Sequence, residues 1–176
     1  MPVIDVNVFD YASVSRAARR LDEYAADLVE KANELCRRLA EIGKVRAELD
    51  FSNAIYDGTN DVTVHVEPID NGYAVRATGG AVMFIEFGAG VYHNGQGAYP
   101  GELPPGVVGI GQYGQGRGKN DWWLYPGPPG NAGGVPSTTV PGMTITHGNP
   151  PAAAMYNAQQ EVTREIQRIA DEVFAR

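Results

Sequence analysis

The sequence has a single cysteine, Cys36, among its 176 residues. A lone thiol excludes an intrachain disulfide and argues against a thiolate metal site. Histidine is nearly as scarce. His65, His93 and His147 are the whole set, and none has a second ligand at the i,i+4 spacing of a helical metal site. No apolar run approaches the ~20 residues that cross a bilayer. The opening Met1-Pro2-Val3-Ile4-Asp5 lacks the basic and apolar blocks of a signal peptide, so a cytoplasm is the expected compartment. Basic residues are outnumbered, and the net charge is −7. That argues against a general nucleic-acid binder, which carries a basic face. It does not exclude a protein that surrounds DNA without gripping it.

What is present has a clear order. Val14, Leu21, Leu28, Leu35 and Ile42 recur every seven residues, and Ala17, Tyr24 and Leu39 widen the same stripe. The pattern predicts a helix over residues 14–43, with Ser13 or Ser15 as its cap and Gly43 just past its end. The opposite face mixes signs: Arg16, Arg19, Arg20, Asp22, Glu23, Asp27, Glu30, Lys31, Glu34, Arg37, Arg38 and Glu41. Such a face is either solvated or met by another subunit through charge pairs.

A β hairpin is predicted over residues 61–78. Val62, Val64 and Val66 alternate with polar residues, as do Tyr73, Val75 and Ala77. The turn signal Pro68-Ile69-Asp70-Asn71-Gly72 lies between them. Each strand has one apolar face for the long helix to cover. Residues 81–87, Ala-Val-Met-Phe-Ile-Glu-Phe, fit a helical turn ended by Gly88 or a buried strand, since periodicity does not decide short apolar runs.

Composition then shifts. Residues 88–148 hold 17 of the 22 glycines and 8 of the 12 prolines, with four charges, Glu102, Arg117, Lys119 and Asp121. They also hold Tyr92, Tyr99, Tyr113, Trp122, Trp123 and Tyr125. A flexible linker is poor in such aromatics, so this long loop insertion is expected to carry function. Trp122-Trp123-Leu124-Tyr125 is apolar enough for a short strand or an anchor. A last helix is expected over residues 149–175, with Asn149 as N-cap, Pro150 in its first position, and Met155, Ala158, Val162, Ile166, Ile169 and Val173 as its stripe. The whole is a single α+β domain: an N-terminal and a C-terminal helix on a small antiparallel sheet, with a Gly-rich insertion.

Chemistry-bearing constellations are few. Glu86, flanked by Ile85 and Phe87, is expected to be a structural carboxylate that accepts backbone N–H groups from the glycine turn after it. Gly109-Ile110-Gly111-Gln112-Tyr113-Gly114 matches G-x-G-x-x-G, but it follows no clear strand and opens no helix, so nucleotide binding is not inferred. Gln115-Gly116-Arg117-Gly118-Lys119 offers too few charges for a nucleic-acid site. A hydrolase would need a pocket built on Glu86, Asp121 or His93.

The order of these elements resembles the tail-completion, or head–tail joining, proteins of long-tailed bacteriophages. The resemblance rests on Ile85-Glu86-Phe87-Gly88-Ala89-Gly90 after the hairpin, and on Pro151, Met155 and Ala158 opening the last helix. Ala89 stands where that family usually has Thr, and Ala152-Ala153-Ala154 where a bulkier residue often precedes the methionine. The resemblance implies a non-enzymatic virion protein of the neck or tail, assembled in the cytoplasm of a bacterial host, with no cofactor and no membrane. It implies a ring homo-oligomer of six subunits between the head-side connector or head-closure protein and the tail-tube or tail-terminator protein. DNA would pass through the lumen without sequence-specific binding. Head-closure and tail-tube proteins are the neighbouring alternatives. Within the insertion, Tyr113, Trp122, Trp123 and Tyr125 are expected to anchor on a partner, since Tyr and Trp give large contact area with few rotatable bonds.

Overall fold

The computed structural model describes residues 5–89, 99–103, 105 and 122–175. Two helices of unequal length carry the architecture. The first, α1, runs Tyr11–Ser52, longer at both ends than the 14–43 expected. Asp10 is its N-cap and accepts from the Ala12 N–H at 3.0 Å. Ser13 is inside the helix and instead accepts from the Asn7 N–H. Gly43 does not end α1. A Cβ there would meet Val162 at 3.0 Å and Val75 at 3.4 Å, so the glycine lets both the last helix and the hairpin pack close against α1. A helix-interior glycine costs ~1 kcal/mol relative to alanine, and that close packing offsets it.

The hairpin is β1 (Thr63–Ile69) and β2 (Gly72–Thr78), antiparallel, with Ile69 facing Gly72 across Asp70-Asn71. Its Val64 and Val75 face α1 as part of the core or packed against it. Residues 81–87 resolve as helix: α2 spans Val82–Phe87. Asp61 fixes where it begins, accepting from the Gly80 N–H at 2.8 Å and the Ala81 N–H at 2.9 Å.

The second half of the Gly-rich stretch is built structure. It forms a three-stranded antiparallel sheet, β3 (Trp123–Pro126), β4 (Val135–Pro136) and β5 (Met143–Thr146), in the order β3-β5-β4. The chain after α1 docks on it. Gly58 and Thr59 donate to Pro128 and Pro126 carbonyls, and Asn131 donates to the Tyr56 carbonyl. Asp57, fully buried, accepts from the Gly130 N–H at 3.0 Å and the Thr146 hydroxyl at 2.8 Å.

The last helix, α3, spans Ala154–Phe174, starting five residues later than expected. Asn149 is not its cap, because tertiary partners claim it: its amide donates to the Phe84 carbonyl at 2.8 Å, and the residue is fully buried. Within the expected stripe Ala158, Ile169 and Val173 are buried, whereas Ile166 is exposed. α3 runs antiparallel to α1, with Asn157 bonded to Asp50 and Glu172 paired with Arg38. The core lies between α1, α2, β1, β3 and α3, around Ala47, Phe51, Tyr56, Val64, Ile85, Tyr125 and Ala158. Burying a side chain such as Ile85 fully stabilises the fold by about 1.5–3 kcal/mol.

Candidate functional site: the joint of Glu86 with the last helix

Helix α3 has no local side-chain cap, and its N-cap residue Ala153 sits in the left-handed region at φ 50. The first N–H groups of a helix have no partner within it. Glu86, at the end of α2, supplies one from across the fold. Its Oε2 accepts from the Met155 N–H at 2.9 Å and its Oε1 from the Tyr156 N–H at 3.3 Å. The helix dipole favours a carboxylate at that end. Oε1 also accepts from the Tyr99 hydroxyl at 3.0 Å. Glu86 is 3% exposed, so its oxygens are committed to these donors. It does accept backbone N–H groups, as its setting in the sequence suggests, but from the last helix and not from the adjacent glycine turn.

The backbone around this cap is stitched. Ala152 donates to the Ile85 carbonyl and Ala153 to that of Glu86. Ala89 and Asn149 exchange both backbone hydrogen bonds, at 2.9 and 2.8 Å. Gly88 lies between, with φ 76 and ψ 169. A Cβ there would come within 2.7 Å of the Pro151 nitrogen, so glycine is required by both conformation and space. Phe87 packs against Tyr99, centroids 4.8 Å apart, and Tyr99 meets Tyr156 edge-on at 6.0 Å. Burial and then the Glu86 charge push the Tyr99 hydroxyl well above the usual tyrosine range.

Glu86, Phe87, Gly88, Pro151, Met155 and Ala158 therefore converge on one joint, although the chain between its halves is long. Gly90 lies outside the described residues. The aromatics expected to anchor a partner divide differently. Trp122 is exposed. Trp123 is half-buried, its ring edge-on to Tyr125 at 6.1 Å. Tyr125 is 4% exposed, packed between the tilted rings of Tyr56 at 4.9 Å and Phe84 at 5.5 Å. Its hydroxyl donates to Asn149 Oδ1 at 3.3 Å. The expectation that Tyr125 reaches a partner is corrected: it fills the chain's own core. Tyr113, His93, Asp121 and the 109–114 and 115–119 segments lie outside the described residues.

A cleft of about 380 Å³ opens beside this cluster, with Tyr56, Asp61, Phe84, Trp123 and Tyr125 on its walls. Two backbone donors, Gly80 first and then Ala81, hold the Asp61 carboxyl below the usual carboxylate range. Burial, then the charges of Asp61 and Asp57, push the Tyr56 hydroxyl up to about 12. The sequence singles out neither Asp57 nor Asp61, and it offers Asn149 only as a local helix cap, since the partners of all three lie far along the chain.

Among the described residues, no group of three or more His, Cys, Asp or Glu is placed to hold a metal ion, and no helix is long and apolar enough to cross a membrane. No family model, curated protein or solved structure matches the chain.

Proposed function

We propose that the chain is a non-enzymatic structural subunit, a tail-completion or head–tail joining protein of a long-tailed bacteriophage. In this reading six copies form a ring in the virion neck, between the head-side connector and the tail tube, with DNA passing through the lumen. One observation carries it. The two elements on which the resemblance rests, Glu86-Phe87-Gly88 and Pro151 to Ala158, are halves of a single joint, in which Glu86 caps the helix that Met155 opens. Motif residues that are far apart in sequence yet mutually required are what a shared fold demands.

Two further features support the reading. The acidic balance of the chain suits a channel past which DNA slides without sticking. The exposed Trp122, beside a cleft walled by aromatics, suits docking between subunits or rings.

The test is location and assembly. Particles carrying an affinity label on this chain should show it once, at the head–tail junction, and the purified chain should form rings alone or with its connector and tube partners. Label repeated along the tail would make it a tube protein. Absence from particles would sink the reading.

A further inference from the structure

Nearly all the cations of this fold are paired. Among the described residues, every lysine and arginine except Arg19 and Arg20 has a carboxylate partner. Those two lie in the stretch of α1 from residue 18 to residue 30, which is exposed throughout. With Arg16 they follow the i, i+3, i+4 spacing that puts side chains on one helix face. That face points away from the stripe of Val14, Leu21 and Leu28. Glu23 is next on it, so the basic character is confined to the outer end of this arm.

A complementary site lies at the other end of the molecule. Asp61 accepts from the Gly80 and Ala81 N–H groups but pairs with no described cation. It lines the cleft of about 380 Å³ together with Tyr56, Phe84, Trp123 and Tyr125, and none of the residues lining that cleft is basic. Tyr56 is 8% exposed, and its hydroxyl has no hydrogen-bond partner among the described residues. The charges of Asp61 and Asp57 both act on that hydroxyl, so the cleft sits in a negative field. A carboxylate beside aromatic rings suits a guanidinium, which stacks on ring faces while it donates to oxygen. The same field repels phosphates and carboxylates.

These two features cannot meet within one chain. Arg20 and Phe51 are on the same unbroken helix, and Phe51 packs in one cluster with Tyr56 and Tyr125 of the cleft. About 46 Å of helix separates Arg20 from Phe51, at 1.5 Å per residue. Arm and cleft therefore meet only between copies. A contact between different surfaces of identical chains is heterologous: it repeats from copy to copy, and it closes a ring where the rotation allows.

We propose that Arg19 and Arg20 of one copy dock at the Asp61 cleft of the next, in an arm-to-body contact that repeats head to tail. An exposed ion pair alone contributes little; the rings of the cleft add stacking for the guanidinium. The contact deepens the ring of the proposed function by naming how its subunits join, and it rests on that reading for closure of the ring.

The test uses the full chain. Sedimentation at tens of micromolar in low salt should show species larger than a dimer. Arg19→Glu with Arg20→Glu removes the arm's half of the contact and should give a monomer. Thr59→Arg, on the cleft wall, fills the cleft with its own cation, leaves Asp61 and its two donors in place, and should also give a monomer. Near-ultraviolet dichroism of the core tyrosines should match wild type in both, showing that the body stays folded. Mixed one to one, the two variants hold one intact arm and one intact cleft between them, and should form a dimer and nothing larger. A monomeric wild type, a folded variant that still assembles, or a mixture that stays monomeric each overturns the proposal. Normal necks built from the Arg19→Glu, Arg20→Glu chain would overturn this contact and leave the virion reading standing. Assembly as described, by a chain absent from particles, would do the reverse.

Discussion

The Glu86 carboxylate accepts the Met155 backbone N–H at 2.9 Å, joining residues 69 positions apart in the chain. Removing it leaves the Met155 and Tyr156 donors and the Tyr99 hydroxyl without this acceptor in a buried site. Glu86→Ala is expected to cost about 1–3 kcal/mol, read as a lower urea midpoint. Glu86→Gln exchanges one acceptor oxygen for a donor and should fall between. A Gln variant as stable as wild type at neutral pH would contradict a charge-assisted cap.

Gly88 and Gly142 separate strain from collision. Both have positive φ, 76 and 78, but a Cβ on Gly88 meets Pro151 and Asn149, whereas one on Gly142 meets nothing within 4 Å. Gly88→Ala should lose more than the about 1–3 kcal/mol of backbone strain alone. Gly142→Ala should lose clearly less. Equal losses in thermal unfolding would refute the collision.

The aromatics of β3 and its flank predict a division between stability and assembly. Tyr125→Ala empties a core position and should cost about 3–5 kcal/mol. Trp122→Ala removes an exposed side chain, should cost under about 0.5 kcal/mol, and in the virion reading lowers the yield of joined particles. A Trp122→Ala phage that assembles normally removes Trp122 from the interface.

Asp61 gives a pH dependence of known sign. The Gly80 and Ala81 N–H groups lower its folded pKa, so its contribution is present above the unfolded value, about 3.9, and is lost as pH falls through the folded value. The stability gap between wild type and Asp61→Ala should be full at pH 6 and should narrow below about pH 4. A gap that stays constant down to pH 2 would rule out the ionised cap.

The heptad of Val14, Leu21, Leu28, Leu35 and Ile42 revealed α1, and valine alternation revealed the hairpin, because both signals are local and periodic. The ends misled for tertiary reasons. Gly43 reads as a terminator until Val162 and Val75 are seen against it. Asn149 reads as a cap until Phe84 and Tyr125 are seen to claim it. For Glu86, burial and an acceptor role were legible from its apolar neighbours, but the donors were not, since nothing in a sequence reports a contact made across so much intervening chain. Tyr125 shows a different limit. An aromatic in a Gly-rich stretch does not tell whether its own chain buries it, as it does Tyr125, or leaves it exposed, as it does Trp122.

The exchange of hydrogen bonds between Ala89 and Asn149 has an evolutionary consequence. It closes the excursion between them at its base. Inside the excursion Tyr99 is tied to Glu86 and Phe87, and Tyr125, Gly130 and Thr146 to the core and to Asp57. Where a segment makes no such contact, a change in its length costs mainly the entropy of closing a loop, which grows only logarithmically, by about 0.6 kcal/mol for each doubling. The clasp can stay fixed while its contents diversify, which lets one scaffold change its neighbours without relearning how to fold.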